Sequence, residues 1–160
     1  MLQEKIELGP KIMRAICPAY RDHFDHWRQA AENNADLHAV FPPKPSENGK
    51  ARVFTPLQAA SFALMADLVA CEYKTPQAAK MVRRVMEAHL RQPSVEQWGI
   101  IFTANGNVST LPFTEAGLSA GYISGSRLKF ALIVDLKNYA DRVTAAIADA
   151  PRVIGGDDGE

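Results

Sequence analysis

The chain has 160 residues, of which 47% are apolar and 22% charged, enough to bury one sizeable core or two small ones, so disorder is not the default. Lysine plus arginine and aspartate plus glutamate number 18 each, and this zero net charge excludes a general electrostatic attraction to nucleic acid. No run approaches the roughly 18 uncharged apolar residues of a membrane span, and Glu4 and Glu7 stand where a signal peptide is basic, so a cytoplasmic protein without membrane partners is expected.

Pro10 suits the first turn of a short helix that places Ile12, Met13 and Ile16 on one side. Pro18, directly after Cys17, interrupts that helix and opens the next. There Tyr20, Phe24 and Trp27 recur at intervals of four and three, which predicts one apolar stripe on a helix running to about Ala31, with Arg21, Asp22, Asp25 and Arg28 facing elsewhere. Two short helices across a Cys-Pro break outline a helix-turn-helix. From Phe41 to Arg52 the segment FPPKPSENGKAR resists helix, and it is the natural place for a wing.

Thr55, Pro56 and Gln58 together supply an N-cap, a first-turn proline and a capping-box partner. The body that follows, LQAASFALMADLVAC, is apolar on nearly every side and predicts a buried central helix. The same start signal recurs at Thr75-Pro76 for a helix to about Leu90, with Ala78, Val82, Val85, Met86 and His89 inward and Lys80, Arg83, Arg84 and Arg91 outward. These two helices are expected to form an antiparallel hairpin. His89 reads as a satisfied core histidine, and Cys17 and Cys71 as small buried hydrophobes.

Beyond Gln92-Pro93 the pattern becomes extended. Trp98 to Thr103 and Val108 to Leu111 flank Asn105-Gly106, which predicts a two-residue hairpin turn, and Pro112 ends the second strand. The Gly- and Ser-rich stretch from Thr114 to Gly125 reads as a loop, and Lys129 to Leu136 as a strand. Asn138 with Asp141 is expected to cap a final amphipathic helix carrying Tyr139, Val143, Ala146 and Ile147, and the tail IGGDDGE has the composition of disorder.

The order helix, turn, helix, Pro-rich wing and then RVFTPLQAASFALMADLVACEYKTPQAAKMVRRV resembles the DNA-binding domain of MerR-type regulators over about residues 8–90. Arg52, Phe54 and Thr55 match the family's entry to its third helix, and Thr75, Ala78 and Ala79 match the fourth. The chain departs from the pattern in having Glu72-Tyr73 where the family has a glycine, in lacking an intact Thr-Leu-Arg-Tyr-Tyr run, and in lacking the long C-terminal dimerisation helix. The fold class expected is therefore α+β. It comprises a MerR-like winged helix-turn-helix domain over 1–92, a small α/β segment over 93–151 for dimerisation or sensing, and a disordered tail over 152–160.

The resemblance implies a sequence-specific transcriptional regulator that binds double-stranded DNA as a homodimer. Arg21, His23 and Arg28 on the second helix would reach bases or phosphates in the major groove, and Lys44, Lys50 and Arg52 on the wing would neutralise phosphates. The charge distribution permits this: basic and acidic residues number 7 and 5 over residues 10–52, 5 and 1 over 74–91, and 5 and 8 over 92–160. Asp22 and Asp25 on the same helix oppose it, and the rival expectation is a protein-interaction adaptor that keeps the winged scaffold without DNA binding. His23 and His26 share a metal-binding spacing but have no convincing further ligand. No nucleophile with a base, paired carboxylates or phosphate-cradling loop forms a catalytic constellation, so no enzyme activity, cofactor or metal is expected.

Overall fold

The computed structural model describes residues 2, 6–41, 52–114, 121–123 and 125–150. The elements in chain order are α1 (Pro10–Ile16), α2 (Tyr20–Ala31), a 3₁₀ turn (Ala35–Ala39), α3 (Pro56–Ala70), α4 (Thr75–Arg91), β1 (Gln97–Thr103), β2 (Val108–Pro112), β3 (Tyr122–Ile123), β4 (Ser126–Asp135) and α5 (Leu136–Ala148). The class is α+β, as expected. The expected wing lies mostly outside the described residues, as do the tail from 152 onward and the side chains of Lys44 and Lys50.

α3 starts on the capping box that the sequence encodes. The Thr55 hydroxyl accepts from the Gln58 amide at 3.2 Å, and the Gln58 side chain accepts from the Thr55 amide at 2.9 Å. Ten of its fifteen residues are buried, among them Phe62, Leu64 and Met65, and it packs against α1, α2, α4 and α5. Ser61 is fully buried, and its hydroxyl donates to the Leu57 carbonyl at 2.7 Å, so its burial leaves no unmade bond.

The short link between α3 and α4 is made by Glu72, whose φ of 66° is in the left-handed region. A helix that ends in a left-handed residue favours one without a Cβ, so Glu72 carries a steric cost there. Thr75 is the first residue of α4 and makes no capping bond, so the second start signal works through Pro76 alone. Arg83 reaches Asp36 of the 3₁₀ turn at 2.9 Å, which fastens that turn to α4.

The sheet is antiparallel throughout, with order β2-β1-β4-β3. Trp98, Ile100 and Val134 face the helices and join one continuous core with Met13, Trp27, Phe62, Val85 and Val143, so the apolar interior does not divide near residue 92. The β1–β2 turn differs from the expected two-residue form. Only Gly106 has positive φ (82°), whereas a type I′ turn needs it at Asn105 too. Instead the Gly106 amide bonds the Thr103 carbonyl at 3.0 Å, the Thr103 amide bonds the Asn107 carbonyl at 3.1 Å, and the Asn105 side chain bridges to Ser126 at 2.9 Å. Tyr122–Ile123, expected as loop, pairs with β4 as a short edge strand.

Four further expectations need correction. Asp135, not Asn138, caps α5, its carboxylate accepting from the Lys137 amide at 3.1 Å, because the helix begins as soon as β4 ends. Asp141 instead pairs with Lys137 one turn away at 2.6 Å. Cys71 is exposed while Cys17 is buried, since Cys71 caps α3 beyond its covered length. His89 is buried as expected, but among the described residues its Nδ1 has no hydrogen-bond partner.

Because Glu72 bears a Cβ in a left-handed conformation, Glu72→Gly is expected to stabilise the fold by about 1 kcal/mol, the order of the left-handed penalty. For a domain of this size that is a rise of about 2–4 °C in Tm by scanning calorimetry. An unchanged or lowered Tm would show that Glu72 is not strained.

Candidate nucleic-acid interface

The roll of α2 is set by aromatic packing. Phe62 of α3 is the hub, with ring centroids 5.2 Å from Tyr20, 4.8 Å from Trp27 and 5.7 Å from Phe41, and with Phe54 perpendicular to it at 6.1 Å. Offset and edge-on geometries suit the ring quadrupoles, and such pairs add about 0.5–1.5 kcal/mol each beyond area burial. With Tyr20 and Trp27 buried and Phe24 half-buried, the opposite face of α2 is necessarily the outer one.

That outer face presents Arg21, Asp22, Asp25 and His26, all exposed. Arg28 is half-buried and lies 3.5 Å from the Asp25 carboxylate, one turn earlier. The pair is largely solvated, so it is worth little in stability, but it offsets part of the charge that Arg28 would offer a phosphate. His23 does not stand outward beside Arg21. Its imidazole lies flat on the Trp27 indole, with centroids 4.3 Å apart and planes within 3°, so one ring face is covered.

The stretch ahead of α1 is tied to the stretch ahead of α3. Leu8 and Phe54 form an antiparallel bridge, with amide-to-carbonyl distances of 2.8 and 3.0 Å in the two directions. Arg52, half-buried, precedes this bridge by two residues. The Tyr20 hydroxyl lies in the field of Arg52, Arg14 and Asp25. Burial is the main reason its pKa is pushed up to about 12, with Asp25 adding to the rise and the two arginines opposing it. Arg14, exposed in the last turn of α1, thus joins Arg21 and Arg52 around the start of α2. Sequence reasoning passed over Arg14 because it stands on a different helix; its place in a basic last turn was the available signal.

The break between α1 and α2 is held from the far end of the chain. Arg142 of α5 donates through Nη2 and Nε to the Ile16 carbonyl at 2.6 and 3.2 Å, satisfying an acceptor that the end of α1 leaves open. Its Nη1 meets Asp67 of α3 at 3.2 Å, and the Tyr139 hydroxyl donates to the same carboxylate oxygen at 2.8 Å. Burial, followed by this bond to Asp67, raises the Tyr139 pKa beyond the usual phenol range. Arg142 also sits over the Tyr139 ring, 5.3 Å from its centroid.

Chemically, the surface offers guanidinium donors of fixed geometry interleaved with carboxylates. Arginine forks suit base edges and phosphates, while the aspartates repel a backbone that comes too near. Among the described residues no group of three or more His, Cys, Asp or Glu is placed to hold a metal ion, and no helix is long and apolar enough to cross a membrane. No protein-family model matches the chain, and no curated protein matches it.

The raised Tyr20 pKa carries a pH signature. A group whose pKa rises on folding gives stability that is complete below its unfolded value near 10 and is lost as pH climbs through the folded value near 12. Denaturant midpoints are therefore expected to fall between pH 10 and 12, and to fall less steeply in Tyr20→Phe. Equal slopes for the two proteins would place the Tyr20 hydroxyl in water.

Proposed function

We propose that this protein is a sequence-specific DNA-binding regulator built on a MerR-like winged helix-turn-helix, with α2 as the helix that enters the major groove. The single observation that supports the reading is the Leu8–Phe54 bridge, which holds the stretch carrying Arg52 against the start of α2, where the Phe54 ring meets Tyr20 at 6.0 Å. Arg21 and Arg28 read bases or phosphates, and Arg14 and Arg52 hold the flanking backbone. Lys44 and Lys50 extend this contact along the wing, outside the described residues. His23 contributes through its ring edge, with its face against Trp27.

The regulator acts as a homodimer through its C-terminal half. In support, Leu111, Gly99 and Ile133 lie in register across β2, β1 and β4, and Leu111 and Ile133 are 38% and 47% exposed. Two exposed apolar side chains flanking a glycine on one sheet face suit a second copy of the same surface about a two-fold axis. A second reading, the adaptor, is favoured by Asp22, Asp25 and the Asp25–Arg28 pair, since a helix of mixed sign suits a polypeptide better than a polyanion.

DNA recovered with the protein from cells decides between them. The native chain is expected to enrich defined fragments, and Arg21→Ala with Arg28→Ala to lose that enrichment while retaining the native circular dichroism. Each phosphate contact removed lowers the slope of log affinity against log salt by about 1. Asp25→Asn, which frees Arg28 and deletes a repulsive charge, is expected to tighten binding in a gel shift. A native chain that enriches no fragments rejects the regulator in favour of the adaptor, and equal enrichment by both proteins rejects the contacts at Arg21 and Arg28.

The dimer has its own check. Ile133→Asp is expected to shift the sedimentation coefficient from dimer to monomer, and a native chain that sediments as a monomer at micromolar concentration would remove this part of the reading.

A further inference from the structure

Between the N-terminal part of α4 and the sheet lies a cleft of about 320 Å³. Its floor is a pair of rings, Phe102 of β1 and Phe130 of β4, stacked with centroids 4.2 Å apart and planes within 16°. Val108 of β2 and Met81 and Tyr73 on the helix side complete an apolar lining. Phe130 remains 48% exposed, although a phenylalanine on the helix-facing side of a sheet is normally covered. The core closes over Trp98 and Ile100 further along the same strand, and Phe102, Val108 and Met81 pack half-buried against its edge, which leaves Phe130 uncovered.

Two cations stand on this lining, Lys80 and Arg84, one helical turn apart on α4. Arg84 is half-buried and aimed, its Nη1 donating to the Val108 carbonyl at 2.9 Å, which fixes the guanidinium over the sheet. Lys80 is exposed at the mouth. None of the described residues lining the cleft is acidic, so the two positive charges are not neutralised from within it. Arg83, the neighbour of Arg84, is by contrast committed to Asp36 and Glu87.

We infer that this cleft is a binding site for a small planar aromatic molecule bearing one anionic group, its ring against Phe102 and Phe130 and its carboxylate, sulfonate or phosphate between Lys80 and Arg84. The volume lies at the lower end of small-molecule pockets and suits a one- or two-ring ligand. Stacked rings and Met81 supply an apolar, polarisable surface for a flat ligand. The guanidinium, already oriented by Val108, pays little ordering entropy on meeting an anion. A neutral ligand of the same shape gains no charge-assisted bond from Lys80 or Arg84, so the charge sets selectivity. The inference stands on the cleft alone and is independent of DNA binding.

The test uses the full chain with anilinonaphthalene sulfonate as the anionic probe and phenylnaphthylamine, the same rings without the sulfonate, as the neutral one. The native chain is expected to bind one equivalent of the sulfonate, at least about tenfold more tightly than the amine, the order of one charge-assisted hydrogen bond. Lys80→Met with Arg84→Met removes that preference, and Phe130→Ala weakens both probes. Lys80→Glu changes only an exposed side chain, so it keeps the fold and is expected to lose sulfonate binding on its own. A ring-current shift of the Met81 methyl on titration places the probe in the cleft. Sulfonate affinity unchanged in Lys80→Glu, no preference over the amine, or an unmoved Met81 methyl each overturns the proposal. The last outcome would assign the probe to another apolar surface, such as the outer sheet face around Ile133.

Discussion

A helix without a polar side has to be covered from every direction, and α3 is such a helix. Its fifteen residues include ten buried ones, distributed around the axis rather than along a stripe, so α1, α2, α4 and α5 each occupy part of its circumference. At about 25 cal/mol for each square ångström of apolar surface removed from water, no arrangement that leaves a flank of α3 open competes with one that covers it. The position of α2, and therefore which of its side chains face outward, follows from Phe62 of this helix drawing Tyr20, Trp27, Phe41 and Phe54 into one aromatic group.

The polar exception on α3 has a structural use. Asp67, near the C-terminal end, collects Tyr139 and Arg142 of α5, and Arg142 continues to the carbonyl of Ile16. A residue at the far end of the chain thus closes the open end of α1, directly before the turn into α2. The charges of this group are partly solvated, so their value lies less in stability than in angle: the guanidinium plane fixes how α1, α3 and α5 meet. A surface that depends on the attitude of α2 consequently depends on the C-terminal helix too, and the N-terminal helices and the sheet share one core.

The two surfaces with functional promise differ in how their charges are held. On α2, Arg28 stands against Asp25 and Arg21 beside Asp22, so any polyanion meets a mixed field in which position matters more than total charge. In the cleft beneath α4, Arg84 stands half-buried over apolar and aromatic walls, where water is less able to screen it, with Lys80 at the mouth. One suits an extended partner read along its length, the other a compact ligand.

What local chemistry dictates was legible from the residues alone. The Thr55–Gln58 capping box, the Pro10 and Pro56 helix starts, the Tyr20–Phe24–Trp27 stripe, the enclosed character of α3 and the β4 strand all depend on neighbours within a turn or a pleat, and all are present. The cap of α5 falls three residues before Asn138, at Asp135, and the turn at Asn105-Gly106 takes another form, because several neighbouring polar groups compete for the same amides. Of the α2 residues, the sequence placed Arg21 outward correctly by periodicity. The i,i+4 spacing of His23 and Trp27 and the i,i+3 spacing of Asp25 and Arg28 made both contacts available on the predicted helix, but that each pair forms was settled by what lies alongside. The meeting of Arg14 and Arg52 at Tyr20, the Arg142 bond to Ile16, and the union of Lys80 and Arg84 with Phe102 and Phe130 belonged to the tertiary structure alone. Each joins residues separated by tens of positions, and only the packing around α3 fixes such distances.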